Sequence, residues 1–237
     1  AEALAVSPSL IQGYVSAAMK ISRLAVGDKT MGPSQVTYSP PPGLAQDRHI
    51  DGLPLGTRGG MLVHHTFPLD AEYDFALGGR GGGPVIDVTL DGEQVKVDNP
   101  RSFRLKVTAG PHTIGLSLPD RQRGAGVDEI YSDFRANAVF TTPGGVPNLV
   151  ITGPLNITGV GDTPSRHKLF LCRPTSQGDE TACARTILTT LARRAYRGPV
   201  SPGEIETLME FYKRGRQPGD FDSGIQEALA RVLVAPR

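Results

Sequence analysis

The chain has 237 residues, a formal net charge of +1 and only 6% aromatic residues, with no Trp. This length allows one large or two modest domains, each able to bury a core. Residues 1–165 carry 13 Lys and Arg against 16 Asp and Glu, and residues 166–237 carry 12 against 8. Neither half is charged enough to indicate nucleic acid or an anionic membrane as a partner. The sequence contains no apolar run as long as a membrane span and no signal-peptide pattern at its start.

The first predicted element is an amphipathic helix over residues 8–25. Ser7 and Pro8 are typical of an N-cap followed by proline at the first helical position. Apolar residues then recur at helical spacing, namely Leu10, Ile11, Tyr14, Val15, Ala18 and Ile21. Gly27 and Asp28 end the helix, and the proline-rich residues 33–43 predict an extended linker.

The central region alternates apolar and polar residues, which predicts an antiparallel β-sandwich whose sheets each have one face in water. Strands are expected at residues 61–67, 71–78, 84–90, 93–98, 103–108, 112–118, 134–141 and 147–157. Asp91-Gly92 indicates a tight hairpin turn. Glu72, Asp74, Asp87, Arg104 and Lys106 have the parity opposite to that of the apolar residues, so they are expected on the solvent side.

From about Asp179 the apolar period becomes helical and predicts three short helices. The first covers residues 179–196, the second opens with the capping box Ser201-Pro202-Gly203-Glu204, and the third begins near Asp220 or Asp222. Three short helices make a thin core, so the N-terminal helix is expected to pack on them. Its contact stripe would be Leu10, Ile11, Tyr14, Val15 and Ala18.

These elements predict a β-rich α+β chain in three segments. They are an N-terminal helical segment (1–32), a β-sandwich (33–165) and a three-helix C-terminal region (166–237). The sandwich would be inserted between two halves of one helical domain, an arrangement that is allowed because chain ends often lie close together.

Few side chains point to catalysis. No nucleophile motif is present, so no enzyme is expected. His65 shares its parity with apolar neighbours and is expected to be a hydrogen-bonded core residue, and His112 is expected to hold down the Gly110-Pro111 turn. Cys172 and Cys183 leave two alternatives open, a pair of buried thiols or one disulfide.

Acidic clusters are the candidates for binding an ion. They include Asp70 with Glu72 and Asp74, and Asp128 with Glu129 and Asp133. Either cluster could hold calcium, a hard ion that takes several oxygen ligands. The alternative is that these carboxylates are solvated residues of a strand face or a loop.

Two segments resemble a family of large bacterial proteins from planctomycetes and acidobacteria. The first is Gly52-Leu53-Pro54-Leu55-Gly56-Thr57-Arg58-Gly59-Gly60 leading into His65-Thr66-Phe67-Pro68 and Ala71-Glu72-Tyr73; the second comprises Cys172-Arg173-Pro174, Ala182-Cys183-Ala184, residues 191–197 and residues 224–234. Those proteins are assembled from domains of unknown function, and many carry a c-type haem motif near the N-terminus. This chain has no haem segment, so no residue is assigned to haem. It begins at Ala1 without Met and is expected to be an internal fragment of such a protein.

The resemblance implies a jelly-roll sandwich similar to calcium-dependent carbohydrate-binding modules, in a periplasmic or secreted protein. In that setting Cys172 and Cys183 are expected to form a disulfide. The implied function is a non-catalytic accessory role with polysaccharide as the partner. The expected ligand-binding residues are Asp128, Glu129, Tyr131 and Asp133, and calcium, if bound, would be held by Asp70, Glu72, Asp128 and Glu129.

Two other functions are weighed against polysaccharide binding, because the absence of Trp counts against a sugar-binding surface. One is a structural module that spaces and docks the haem-bearing and other domains of the parent protein. The other, less favoured, is a hydrolase that uses carboxylates such as Asp128 and Glu129.

Overall fold

The structure, a computed structural model, describes residues 7–44, 46, 49–78, 86–119 and 146–235. The chain forms two compact units. The helical unit comprises the residues up to Met31 together with those from Gly159 onward, and the sandwich unit comprises Gly32–Thr158. The sandwich unit is therefore inserted, in sequence, between two parts of the helical unit. The boundary that the sequence placed at residue 165 falls inside a short helix, Pro164–Leu169.

The sandwich unit contains eight described strands. They are β1 (Ser34–Tyr38), β2 (Thr57–Phe67), β3 (Asp70–Leu77), β4 (Asp87–Leu90), β5 (Glu93–Val95), β6 (Ser102–Val107), β7 (Gly110–Pro119) and β8 (Leu149–Gly159). They form two four-stranded antiparallel sheets with the orders β1-β8-β3-β6 and β2-β7-β4-β5. Among them the first strand pairs with the last, the second with the seventh, the third with the sixth and the fourth with the fifth. The chain is thus α+β with a sandwich-like β region.

Aromatic side chains join the two sheets at the core. The ring of Phe67 on β2 lies 4.5 Å from that of Tyr73 and 6.3 Å from that of Phe75, both on β3. All three are buried, whereas Glu72 and Asp74 on the same strand are partly exposed. The alternation read from the sequence is therefore confirmed on β3.

Turn chemistry also follows the sequence. Asp91 and Gly92 have φ values of 53° and 84°, and they join β4 to β5 with Leu90 opposite Glu93. Two central residues in the left-handed region are what a tight hairpin with the twist of its strands requires. The predicted hairpin turn is confirmed.

Four predictions for the sandwich unit differ from the structure or lie outside it. The segment expected as a linker contains the edge strand β1, which pairs with β8. β4 and β5 are shorter than the predicted 84–90 and 93–98. The strand predicted at residues 134–141 lies outside the described residues. β1 was missed because proline flanks its five residues and its pairing partner is remote in sequence.

The helical unit contains α1 (Pro8–Val26), α2 (Pro164–Leu169), α3 (Gln177–Tyr196), α4 (Pro202–Arg216) and α5 (Phe221–Leu233). Each N-cap side chain accepts a backbone N–H, and at α4 the full capping box forms between Ser201 and Glu204. α2 was not predicted, although Thr163 and Pro164 are its cap signals. Its six residues are too few to show a helical period. Among the described residues, no helix has the length and apolar character needed to cross a membrane.

α1 packs on the rest of the helical unit, but through a different set of residues from the predicted stripe. Its buried residues are Ala18, Ser22 and Val26, and Val26 clusters with Leu169 of α2 and Leu229 of α5. Leu10, Ile11, Tyr14 and Val15 are 45 to 59% exposed, so the contact role predicted for them is wrong. The reason is position along the helix, because every buried residue of α1 lies in its second half.

Polar and covalent links complete the helical unit. Its apolar core joins α3, α4 and α5 through residues such as Ile187, Leu208 and Ile225. At the edge of that core the Glu180 carboxylate accepts hydrogen bonds from the Tyr212 hydroxyl and from Arg216 Nε. A disulfide joins Cys172, in the segment before α3, to Cys183 within α3.

Candidate functional site

The outer side of the sheet β1-β8-β3-β6 carries a row of polar side chains that we call the polar face. It consists of Glu72 and Asp74 on β3, Arg104 and Lys106 on β6, and Asn156 on β8. Strand alternation directs these residues away from the buried side of the sheet. The register places Glu72 opposite Lys106 and Asp74 opposite Arg104, so opposite charges face each other across the two strands.

Hydrogen bonds and ion pairs join the polar face into one row. Asn156 Nδ2 donates to Glu72 Oε2 at 2.6 Å, and Arg104 Nη1 lies 3.6 Å from the same oxygen. Arg104 Nε and Nη2 donate to the two carboxylate oxygens of Asp74 at 2.6 and 2.9 Å. This bidentate geometry fixes the plane of the guanidinium. The row therefore runs across three neighbouring strands, from β8 through β3 to β6.

Mutual hydrogen bonding favours the charged forms of Asp74 and Arg104. The hydrogen bond from Arg104 lowers the pKa of Asp74, and the same bond raises the pKa of Arg104. Two carboxylates and two cations then balance, with a neutral amide at one end. The surface therefore carries donors and acceptors in alternation and no large excess of either charge.

The residues expected to hold calcium are engaged differently. Asp70 Oδ1 accepts the Ala109 N–H at 2.7 Å, so its carboxylate fastens the turn between β6 and β7. Glu72 accepts from Asn156, as described above. Within the described ranges, no three His, Cys, Asp or Glu side chains are grouped so as to hold a metal ion. Asp128 and Glu129, the other two expected ligands, lie outside those ranges.

The expected sugar-binding residues Asp128, Glu129, Tyr131 and Asp133 all lie outside the described residues. The polar face takes their place as the candidate site. Sequence parity had already directed Glu72, Asp74, Arg104 and Lys106 to the solvent side. It gave no signal for Asn156, because the placement of β8 beside β3 is not visible in a local pattern.

The two conspicuous histidines have structural partners. His65 Nδ1 lies 2.8 Å from the Tyr38 hydroxyl, and partial burial lowers the pKa of His65. His112 Nδ1 lies 2.6 Å from Asp91 Oδ2, and its Nε2 lies 3.3 Å from Thr108 Oγ1. His112 thus connects the residues before its own turn to the β4–β5 turn. His65 is hydrogen-bonded as predicted but only partly buried, and His112 brackets the Gly110-Pro111 turn as predicted.

Part of the helical unit matches a known protein family. The profile of a family described as PSD5, protein of unknown function (DUF1595), matches residues 183–237. This segment begins within α3, at the half-cystine Cys183, and includes α4 and α5. The comparison with curated proteins found no match. The comparison with solved structures found none either. The similarity therefore covers part of the helical unit and none of the sandwich unit.

Proposed function

We propose that the chain is a non-catalytic accessory region of a larger exported protein and that its sandwich unit binds polysaccharide through the polar face. The observation that carries this proposal is the row Asn156, Glu72, Arg104 and Asp74, whose hydrogen-bonding groups are already held in place. A sugar chain presents hydroxyl groups that both donate and accept. A surface whose side chains are ordered before binding loses less conformational entropy when the ligand arrives.

The sugar is bound by direct hydrogen bonds in this proposal, without calcium. Both described carboxylates of the expected calcium site already accept N–H donors, Asp70 from the Ala109 backbone and Glu72 from Asn156. Within the described ranges no three His, Cys, Asp or Glu side chains are grouped so as to hold a metal ion, and the proposal therefore includes none. With no Trp in the chain, stacking contributes little, so a weak affinity is expected.

Two further observations support the proposal. Pairing of the first strand with the last, the second with the seventh, and so on inward is the connectivity of a ribbon rolled into a jelly roll, an architecture common among lectin domains. The Cys172–Cys183 disulfide supports an oxidising compartment outside the cytoplasm.

Affinity electrophoresis of the whole chain in gels containing soluble xylan, β-glucan or mannan tests the proposal. We expect one of these polysaccharides to retard the wild-type protein equally in calcium and in EDTA. Glu72→Gln and Arg104→Met should weaken binding about tenfold, since each removes a charged hydrogen-bonding group. Glu93→Gln is the matched control, because Glu93 lies on the exposed strand β5 of the other sheet.

Three results would contradict the proposal. If no polysaccharide retards the wild-type chain, or if Glu72→Gln binds as well as Glu93→Gln, the polar face is not the binding surface. If EDTA abolishes retardation, binding without calcium is refuted.

A further inference from the structure

The first half of α1 exposes an apolar surface, which we call the α1 apolar face. Leu10, Ile11, Tyr14 and Val15 form two adjacent pairs one helical turn apart, and Ile21 and Leu24 extend the surface along one side. All six side chains are between 39 and 59% exposed. A contiguous apolar surface of several hundred Å² on a protein is typical of an interaction site rather than of ordinary surface.

The α1 apolar face continues an existing helix interface. Ile11, Val15, Ala18 and Ser22 follow one another at spacings of four, three and four residues, which is the seam along which helices pack. Ala18 and Ser22 are buried, whereas Ile11 and Val15 are not. The seam is therefore occupied in the second half of α1 and open in the first half. A second helix is the shape that fits its open part.

The lack of charge on the α1 apolar face favours a second copy of this chain as its occupant. α1 contains no Asp or Glu, and its only cations are Lys20 and Arg23. They lie about 120° and 180° around the helix from Tyr14, and Arg23 pairs with Asp28 at 3.2 Å. The α1 apolar face therefore offers no charge by which a different partner could be selected. Nothing on it repels an identical copy brought up by a two-fold axis.

Size and shape fit a two-fold contact as well. Each of the six large apolar side chains exposes about half of its surface, which together makes on the order of 500 Å² per copy. A dimer would then bury about 1,000 Å² in total, near the lower limit for a specific interface. Gly13 borders this face, and a Cβ added there would meet nothing within 4 Å. A neighbouring helix can approach its backbone closely.

We propose that two copies of this chain associate through the α1 apolar face, with their α1 helices packed against each other in an isologous dimer. The inferred dimer is weak, with a dissociation constant on the order of 10 to 100 µM, because the interface is small and purely apolar. This inference is independent of polysaccharide binding, since it concerns the helical unit.

Sedimentation velocity of the whole chain, from micromolar to several hundred micromolar, tests the inference. We expect the weight-average sedimentation coefficient to rise from the monomer towards the dimer value. Tyr14→Asp and Leu10→Ser should each keep the protein monomeric over the whole range. Ser16→Asp is the matched control, because it places the same charge about 200° around the same helix from Tyr14 and should leave the dimer intact. Far-ultraviolet circular dichroism will show that the variants are folded, as expected for side chains that are about half exposed in the monomer.

Three results would overturn the inference. One is a wild-type chain that stays monomeric at every concentration, which would leave the face to a different partner. Another is a dimer that persists in folded Tyr14→Asp. The third is Tyr14-dependent binding of wild-type monomer to phosphatidylcholine vesicles at concentrations where no dimer forms, since the occupant would then be a lipid surface.

Discussion

The role of α1 in the helical unit can be tested by replacing Val26 with Ala. Val26 is 2% exposed and packs with Leu169 of α2 and Leu229 of α5. The substitution removes two methyl groups, worth about 1.6 kcal/mol of transfer free energy, and leaves a small cavity, so we expect a loss of about 2 to 3 kcal/mol. Hydrogen exchange measured by mass spectrometry should show the amides of α5 exchanging about 30 to 150 times faster.

Val15→Ala provides the matched control on the same helix. Val15 is 45% exposed, so the same two methyl groups are removed without a cavity. Alanine also has the higher helix propensity, so stability should stay the same or rise by up to about 0.6 kcal/mol. If both variants lose α5 protection equally, or if Val26→Ala leaves α5 exchange unchanged, then α1 does not stabilise the C-terminal helices and the packing argument is refuted.

Three further outcomes are expected. Hydrogen bonds from Arg216 and Tyr212 lower the pKa of Glu180, so its carboxylate stabilises the helical unit at neutral pH. This contribution is lost as the pH falls below the ordinary Glu range. In urea denaturation, the free energy of unfolding should therefore fall less between pH 7 and pH 3 in Glu180→Gln than in wild type. Reducing the Cys172–Cys183 disulfide, which spans 11 positions, should cost about 3 kcal/mol, and an unchanged urea midpoint would contradict this. Gly153→Ala should destabilise the sandwich by about 1 to 3 kcal/mol in thermal melting, because the added Cβ would lie 2.3 Å from the buried ring of Tyr73. Gly32→Ala is the control: a Cβ at Gly32 meets nothing within 4 Å, so the melting temperature should not change.

Short-range signals explain which parts of the fold the sequence predicts. Ser7, Ser201 and Asp220 cap their helices because a cap depends on residues within one turn, and the starts of α1, α4 and α5 follow from them. β1 depends instead on β8, which follows more than a hundred residues later. No local pattern in the sequence indicates that pairing, so the β1 segment is predicted as a linker.

The α1 apolar face shows a second limit of sequence patterns. A helical period indicates which side of α1 is apolar, and Ala18 on that side is indeed buried. It does not indicate how far along the helix the partners extend. α1 has 19 residues and α5 has 13, so α1 is longer by six residues, or about 9 Å. The exposed residues Leu10 to Val15 lie in the half of α1 that contains no buried residue.

The polar face depends on both kinds of information. Parity alone directs Glu72, Asp74 and Arg104 to solvent, and their mutual register follows from the β3–β6 pairing. Asn156, 84 residues after Glu72, joins them only because β8 returns to lie beside β3. Asn156 itself has a φ of 45°, in the left-handed region that Asn tolerates better than most side chains. Asparagine at position 156 therefore suits the left-handed backbone there as well as the hydrogen bond to Glu72. Replacing Asn156 should therefore disturb the backbone of β8, whereas Glu72→Gln changes only the charge, and for that reason Glu72 is the sharper test of polysaccharide binding.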